Sequence, residues 1–261
     1  MRQILHFSHA NSFPAGCYRI FLSGLAEEYD IRYIEALGHD ARYPVTDHWP
    51  HLVTQTIHAI EQYGQPVVAV GHSLGGYLTL LAALQRPDLF RAIVILDSPV
   101  LGPWRARGLW LAKKMGQINR VTPGGNTLRR RDQWLSVEEA LHYFASKAVF
   151  AQFDLEVLRD YAELGTEPWN GGRRLRFRPE IEHRIYCTLP HTWSHLKGQL
   201  KVPAAFCLGR DSRVVRPADL TFMRRHFPMT VHELAGGHLF PLEQPRLSAT
   251  RVRAVLHELI Q

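Results

Sequence analysis

The 261-residue sequence is 46% hydrophobic and 21% charged, which supports one large domain, or a domain with an insertion, around a sizeable core and excludes a disordered chain. Cys17, Cys187 and Cys207 form no CxxC pair and are too scattered for a disulfide framework, so a reducing, cytoplasmic setting is expected. The formal charge of +7 comes without any nucleic-acid recognition motif, and no nucleic-acid partner is expected.

In chain order, RQILHFSHA reads as a short buried strand ending in the turn-rich HANSFPAG. CYRIFLSGLAEEY places apolar residues at helical spacing, and DIRYIEA follows as a second strand. Residues 47–63 carry apolar side chains three or four apart, a helix closed by Gly64 and Pro66. PVVAV is a buried strand, GGYLTLLAALQRP a helix stopped by Pro87, and RAIVILD another continuous apolar strand. Apolar runs alternating with helices indicate a parallel sheet covered on both faces.

From residue 99 to about 200 that rhythm stops. Helices are expected at 136–148 and 154–164, and the arginines of RRLRFR (173–178) alternate with Leu175 and Phe177 as a strand with one basic face. The alternation resumes with the strand VPAAFCLG, a helix over 217–227, the strand MTVHELAG and a helix over 245–260. The chain thus divides into an α/β core, 1–98 and 201–261, and a mainly helical insertion, 99–200, far longer than an ordinary connection. The basic clusters at 105–114, 129–131 and 173–178 all fall within the insertion, as solvated faces or as a field for an anionic group. No apolar stretch approaches the roughly 18 residues of a membrane span, and the N-terminus meets polar and histidine residues too soon for a signal peptide; no membrane partner is expected.

Gly71-His72-Ser73-Leu74-Gly75 matches the G-x-S-x-G nucleophile elbow and stands, as that motif requires, between a strand and a helix. A serine hydroxyl needs a base to take its proton and a carboxylate to hold the base's tautomer. Among 15 histidines His238 stands out, in the glycine-flanked loop LAGGHLFPLEQP between the last strand and the last helix. That loop faces the same sheet rim as Ser73. His72 reads as a packing residue. His183 and His191 have no cysteine or carboxylate partner at ligand spacing, so no metal or cofactor is expected.

HFSHANSFP, GHSLGG and GGHLFPLEQP together resemble the α/β-hydrolase superfamily over nearly the whole chain, and the stretch after ILDSP falls where that superfamily inserts its cap. The resemblance implies an α/β-hydrolase fold, Ser73 as nucleophile and His238 as base. It also implies an oxyanion hole from the Leu74 N–H and a second N–H in the Ala10–Asn11 region, each donor worth roughly 3 kcal/mol. Most members carry the acid three residues past the glycine of the strand read here as AAFCLG. Counted from Gly209, that position holds Ser212, with Asp211 one residue early. Other members carry it at the tip of the strand RAIVILD, here Asp97. Both aspartates stand as candidates.

A serine nucleophile suits acyl transfer, so the expected reaction is hydrolysis of a carboxylic ester, thioester or lactone. The alternatives are C–C bond hydrolysis of a β-diketone-type compound by the same triad and a non-catalytic binding protein on a hydrolase fold. The substrate is expected to be a medium-sized, partly apolar small molecule, with or without an anionic group. Trp104, Trp110, Trp134, Trp169 and Trp193 lie in or beside the insertion, as pocket lining or as its own core.

Overall fold

The computed structural model describes residues 2–261. The first half of the sheet follows the expected alternation: β1 (Gln3–Ser8), α1 (Arg19–Ala26), β2 (Tyr29–Tyr33), α2 (Pro50–Glu61), β3 (Val67–His72), α3 (Leu74–Gln85) and β4 (Phe90–Leu96). The chain then leaves the sheet through α4 (Pro103–Lys114), α5 (Ile118–Val121) and α6 (Gly124–Thr127). It continues through β5 (Gln133–Trp134), α7 (Val137–Ala145), α8 (Leu155–Glu163), β6 (Thr166–Trp169), β7 (Gly172–Leu175) and α9 (Pro179–Cys187). It returns with β8 (Ala204–Gly209), α10 (Pro217–His226), β9 (Thr230–Leu234), α11 (Phe240–Glu243) and α12 (Pro245–Ile260).

The six long strands form one sheet in the order β2-β1-β3-β4-β8-β9, and every neighbouring pair is parallel. The period of two divides each central strand between two cores. Val68, Val70, Val94 and Leu96 face the layer of α1 and α12, whereas Val67, Ala69, Ile93 and Ile95 face that of α2, α3 and α10. Burial on both faces is why these strands read as unbroken apolar runs. Strand order reverses between β1 and β3, so a crevice opens beyond Ser8 and His72, the rim where open α/β sheets hold ligands.

The segment between β4 and β8 is less purely helical than expected. Alongside its helices it carries a three-stranded antiparallel sheet, β5-β7-β6. The basic strand read at 173–178 pairs only as far as Leu175, and Pro179 begins a helix four residues on. The helix expected from residue 47 starts at Pro50, because His48 and Trp49 both hold left-handed backbone (φ 62° and 61°) that no helix accommodates. No described helix is long and apolar enough to cross a membrane.

Candidate active site

The elbow's glycines answer to close approach. A Cβ at Gly71 would fall on the Gly75 carbonyl, and one at Gly75 on the carbonyl of Ser8 in β1. Ser73 itself sits at φ 51°, ψ −113°, a strained turn that lifts its hydroxyl off the strand axis as α3 begins. His238 follows β9 and brings Nε2 to 3.1 Å from Ser73 Oγ. Its Nδ1 lies 2.7 Å from Asp97 Oδ2. Asp97 is fully buried at the end of β4, in left-handed backbone (φ 48°). Its carboxylate also accepts the Gly209 N–H on Oδ1 (2.9 Å) and the Ser212 hydroxyl on Oδ2 (2.6 Å), so both oxygens are occupied. A carboxylate held this way fixes the imidazole with its Nδ1 protonated and its Nε2 open to the serine proton.

Asp211 is not brought to this site. The turn after β8, closed by Ser212 N–H to the Gly209 carbonyl (3.0 Å), directs Ser212 inward onto Asp97 and leaves Asp211 exposed. The residue at the position expected for the acid therefore donates a hydrogen bond to Asp97 instead. On the other side of the crevice, the Ala10 N–H donates to Tyr18 Oη at 3.3 Å. The N–H groups of Asn11 and Leu74 find no acceptor among the described residues. The Asn11 side chain is committed elsewhere, donating to the Glu182 carbonyl at 3.2 Å.

Three supporting residues were not legible as such. His72 is wholly buried; Tyr18 Oη lies 2.7 Å from its Nδ1, and its Nε2 is 2.9 Å from the His238 carbonyl. Because Tyr18 Oη accepts from Ala10, its own proton goes to His72 Nδ1, and the remaining ring proton on Nε2 goes to His238. Burial pulls His72 down to about 3, which keeps that neutral tautomer. His72 is more than packing: it ties the loop after β1 to the loop that carries His238. His9 anchors the first of those loops, with Nδ1 at 2.8 Å from the Ala10 carbonyl and Nε2 accepting the Leu37 N–H at 2.8 Å. Burial likewise holds His9 down at about 4.

Ser73 and His238 stand at the junction of two cavities that also share Asn11, Pro123 and Tyr186. One, about 510 Å³, is walled by Phe13, Phe144, Phe150 and Tyr161, with Arg130 and Lys147 among its polar residues. The other, about 700 Å³, is walled by Trp49, Tyr77, Leu101, Trp104, Leu109 and Ile185. The arginines of 173–178 line neither cavity. Arg173 and Arg176 donate to carbonyls at Glu163 and Leu164, and Arg174 pairs with Glu167 while stacking over Trp169 (3.6 Å). Of the two readings of this basic cluster, neither cavity takes up the one that sets it toward an anionic group. The tryptophans divide as well: Trp134 and Trp193 are buried packing residues, while Trp104 and Trp110 are exposed.

The expectation that His183 has no cysteine or carboxylate partner at ligand spacing does not hold, and His191 has partners that spacing could not show. Cys187 Sγ lies 3.4 Å from His183 Nε2, one helical turn along α9. His191 meets Asp47 and His48 in space, out of reach of any spacing rule. The cation held in that second group is the chain's own: the Lys113 ammonium bonds Asp47, the Leu189 carbonyl (2.6 Å) and His191 Nδ1 (3.2 Å).

Among known proteins, the chain is 29% identical over 188 residues to the sn-1-specific diacylglycerol lipase ABHD11 of Mus musculus, covering 69% of this chain and 56% of that protein. It is 35% identical over 94 residues to the Abhydrolase domain-containing protein ACTT2-1 of Alternaria alternata, covering 36% of this chain and 31% of the relative. The chain thus spans between 31% and 56% of the length of these curated relatives. In fold it is similar to the crystal structure of E-2-(acetamidomethylene)succinate hydrolase, with a TM-score of 0.79 at 18% identity over 98% of this chain and 91% of that one. The model of the alpha/beta hydrolase family matches residues 7–251, and the chain belongs to that family.

Proposed function

We propose that this hydrolase cleaves a carboxylic ester, thioester or lactone by acyl transfer, with Ser73 as nucleophile, His238 as general base and Asp97 as the acid that orients it. The observation that carries this reading is the continuous line of hydrogen bonds from Ser73 Oγ through His238 to buried Asp97, at 3.1 and 2.7 Å. His238 takes the serine proton as Oγ attacks the carbonyl carbon and returns it to the leaving oxygen or sulfur. Water then repeats the sequence on the acyl-enzyme. The N–H groups of Leu74 and Asn11 receive the oxyanion. Ala10, the other candidate donor, already gives its proton to Tyr18.

A nucleophile between two apolar chambers suits a substrate with an apolar group on each side of its scissile carbonyl, and residues 99–200 serve as the cap that encloses both. The similarity to a diacylglycerol lipase supports an ester with long apolar arms. Labelling by a fluorophosphonate probe tests the reading: the native chain is expected to label on Ser73, and Ser73→Ala to remain unlabelled. A labelled Ser73→Ala variant, or an unlabelled native chain, overturns it.

A further inference from the structure

From Ser98 to Arg131 the chain runs 34 residues without an acid while carrying eight cations. Four of these are spent on acids elsewhere: Arg105 on Asp219, Lys113 on Asp47, Arg130 on Glu182 and Arg131 on Glu139. The other four, Arg107, Lys114, Arg120 and Arg129, are exposed and have no ion pair among the described residues. The same stretch holds six of the twelve exposed large hydrophobic residues described: Trp104, Trp110, Leu111, Met115, Val121 and Leu128.

Their arrangement on α4 is ordered. At about 100° per residue, Trp104, Leu111 and Met115 fall within about 40° of one another, with Arg107 and Lys114 along one flank. Trp104 is 85% exposed and Met115 61%. The inward face of α4 is narrow and mixed: Ala112 is buried and Ala106 and Leu109 pack against the core, while Arg105 and Lys113 reach acids beneath the helix. A surface helix normally keeps its large apolar residues toward the core, and this one also turns Trp104, Leu111 and Met115 outward.

We infer that this face rests on the surface of an anionic lipid bilayer. Leu111 and Met115 would enter the acyl boundary, Trp104 and Trp110 would lie at headgroup depth, and the four free cations would meet lipid phosphates. The charge pattern selects against a second copy of the chain as occupant. An isologous contact sets the patch against itself, bringing unpaired cations together with no acid in the patch to relieve them. A nucleic acid would satisfy the cations but leave Leu111 and Met115 with nothing apolar to enter. The lack of a spanning stretch bears on crossing a bilayer, not on resting against one. Trp104 and Val121 also line the larger cavity, which reaches inward to Ser73, so docking would set the mouth of that cavity at the lipid surface. This last consequence rests on the proposed hydrolase reading; the docking itself does not.

Cosedimentation of the full chain with phosphatidylcholine vesicles, with and without about one third phosphatidylglycerol, tests the inference. Binding is expected to the anionic vesicles, to weaken steeply in high salt, and to be slight on phosphatidylcholine alone. Arg107→Gln/Lys114→Gln is expected to lower vesicle affinity about thirty-fold, at about 1 kcal/mol per cation near an anionic leaflet. Leu111→Ser/Met115→Ser is expected to lower it about tenfold or more, while both variants still hydrolyse a soluble aryl ester at the native rate. Equal binding to both vesicle types, or binding indifferent to either double variant, overturns the inference. So does a dimer that Leu111→Ser/Met115→Ser dissociates, or RNA binding of equal strength that ignores Leu111 and Met115. Vesicle binding by a chain that hydrolyses no ester would leave the docking standing and remove the hydrolase reading instead.

Discussion

The rim of the parallel sheet and the segment between β4 and β8 hold their functional residues in different ways. At the rim, Ser73 and Asp97 adopt left-handed backbone, at roughly 1–3 kcal/mol each, and the Asp97 carboxylate is held by the Gly209 N–H, the Ser212 hydroxyl and His238, which offset the strain. In the inserted segment, side chains are held by partly exposed ion pairs such as Arg174–Glu167 and by an aromatic cluster around Phe144, Phe150 and Tyr161. Fixed geometry belongs to the sheet rim and cavity shape to the insertion. Substitutions should separate the two: changes at the rim strike kcat, and changes in the insertion strike KM, stability or neither.

The largest expected effect is at the proposed nucleophile and its proposed acid. Ser73→Ala is expected to lower kcat on an activated ester by about 10⁴–10⁶-fold with the fold intact. Asp97→Asn should cost about 10⁴-fold, because an amide cannot hold the His238 tautomer. Asp211→Asn, on an exposed side chain, should leave kcat within twofold. A reversal of those last two results would move the acid to the other loop and break the distinction drawn between β4 and β8.

Next comes the relay beneath the proposed triad. His72→Gln is expected to free the His238 carbonyl and lower kcat by up to about 10²-fold with KM little changed, the cost of about 1 Å of misplacement. Tyr18→Phe leaves the Ala10 N–H and His72 Nδ1 unpartnered, about 1–3 kcal/mol of stability for each. The relay also carries a pH signature. His72, at about 3 in the folded chain against 6.5 ordinarily, binds its proton more readily when unfolded. The unfolded state therefore holds more protons between those values, and stability falls as pH drops from about 6.5 toward 3. His6 and His9, each pulled down to about 4 by burial, add in the same direction. Tm against pH should decline less steeply in His72→Gln than in the native chain, and parallel curves would remove His72 from the account.

How much of this was legible follows from where each interaction is encoded. Ser73, its glycines and the apolar strands sit within a dozen residues of one another, so their pattern is local and reads directly. His238 was legible because glycines and a following helix mark its loop. Which aspartate meets His238 was not, because that turns on Ser212 meeting Asp97 across 115 positions of sequence. The Tyr18–His72 link spans 54 and the His48–His191 contact more than a hundred, which no spacing rule reaches. Helix α4 escaped for a different reason: apolar residues lie on its outside (Trp104, Trp110, Leu111) as well as its inside (Ala106, Leu109, Ala112), so no single stripe marks a core. Its Pro103 was a usable signal, as were Pro179 with Glu180 and Glu182 at the start of α9.

The smallest expected effect tests the insertion's own bonds against its cavity. Arg174 stacks on Trp169 and pairs with Glu167, all three partly exposed and none on a cavity wall. A pair of that kind is worth about 0.2–1 kcal/mol, and an exposed cation–π contact about 0.5–1 kcal/mol. Arg174→Gln should therefore lower stability by at most about 2 kcal/mol, less in high salt, and leave both kcat and KM on neutral and carboxylate-bearing esters unchanged. If KM rose selectively for the carboxylate-bearing ester, Arg174 would be reading substrate after all. The basic strand would then belong with the cavity rather than with the scaffold that holds it.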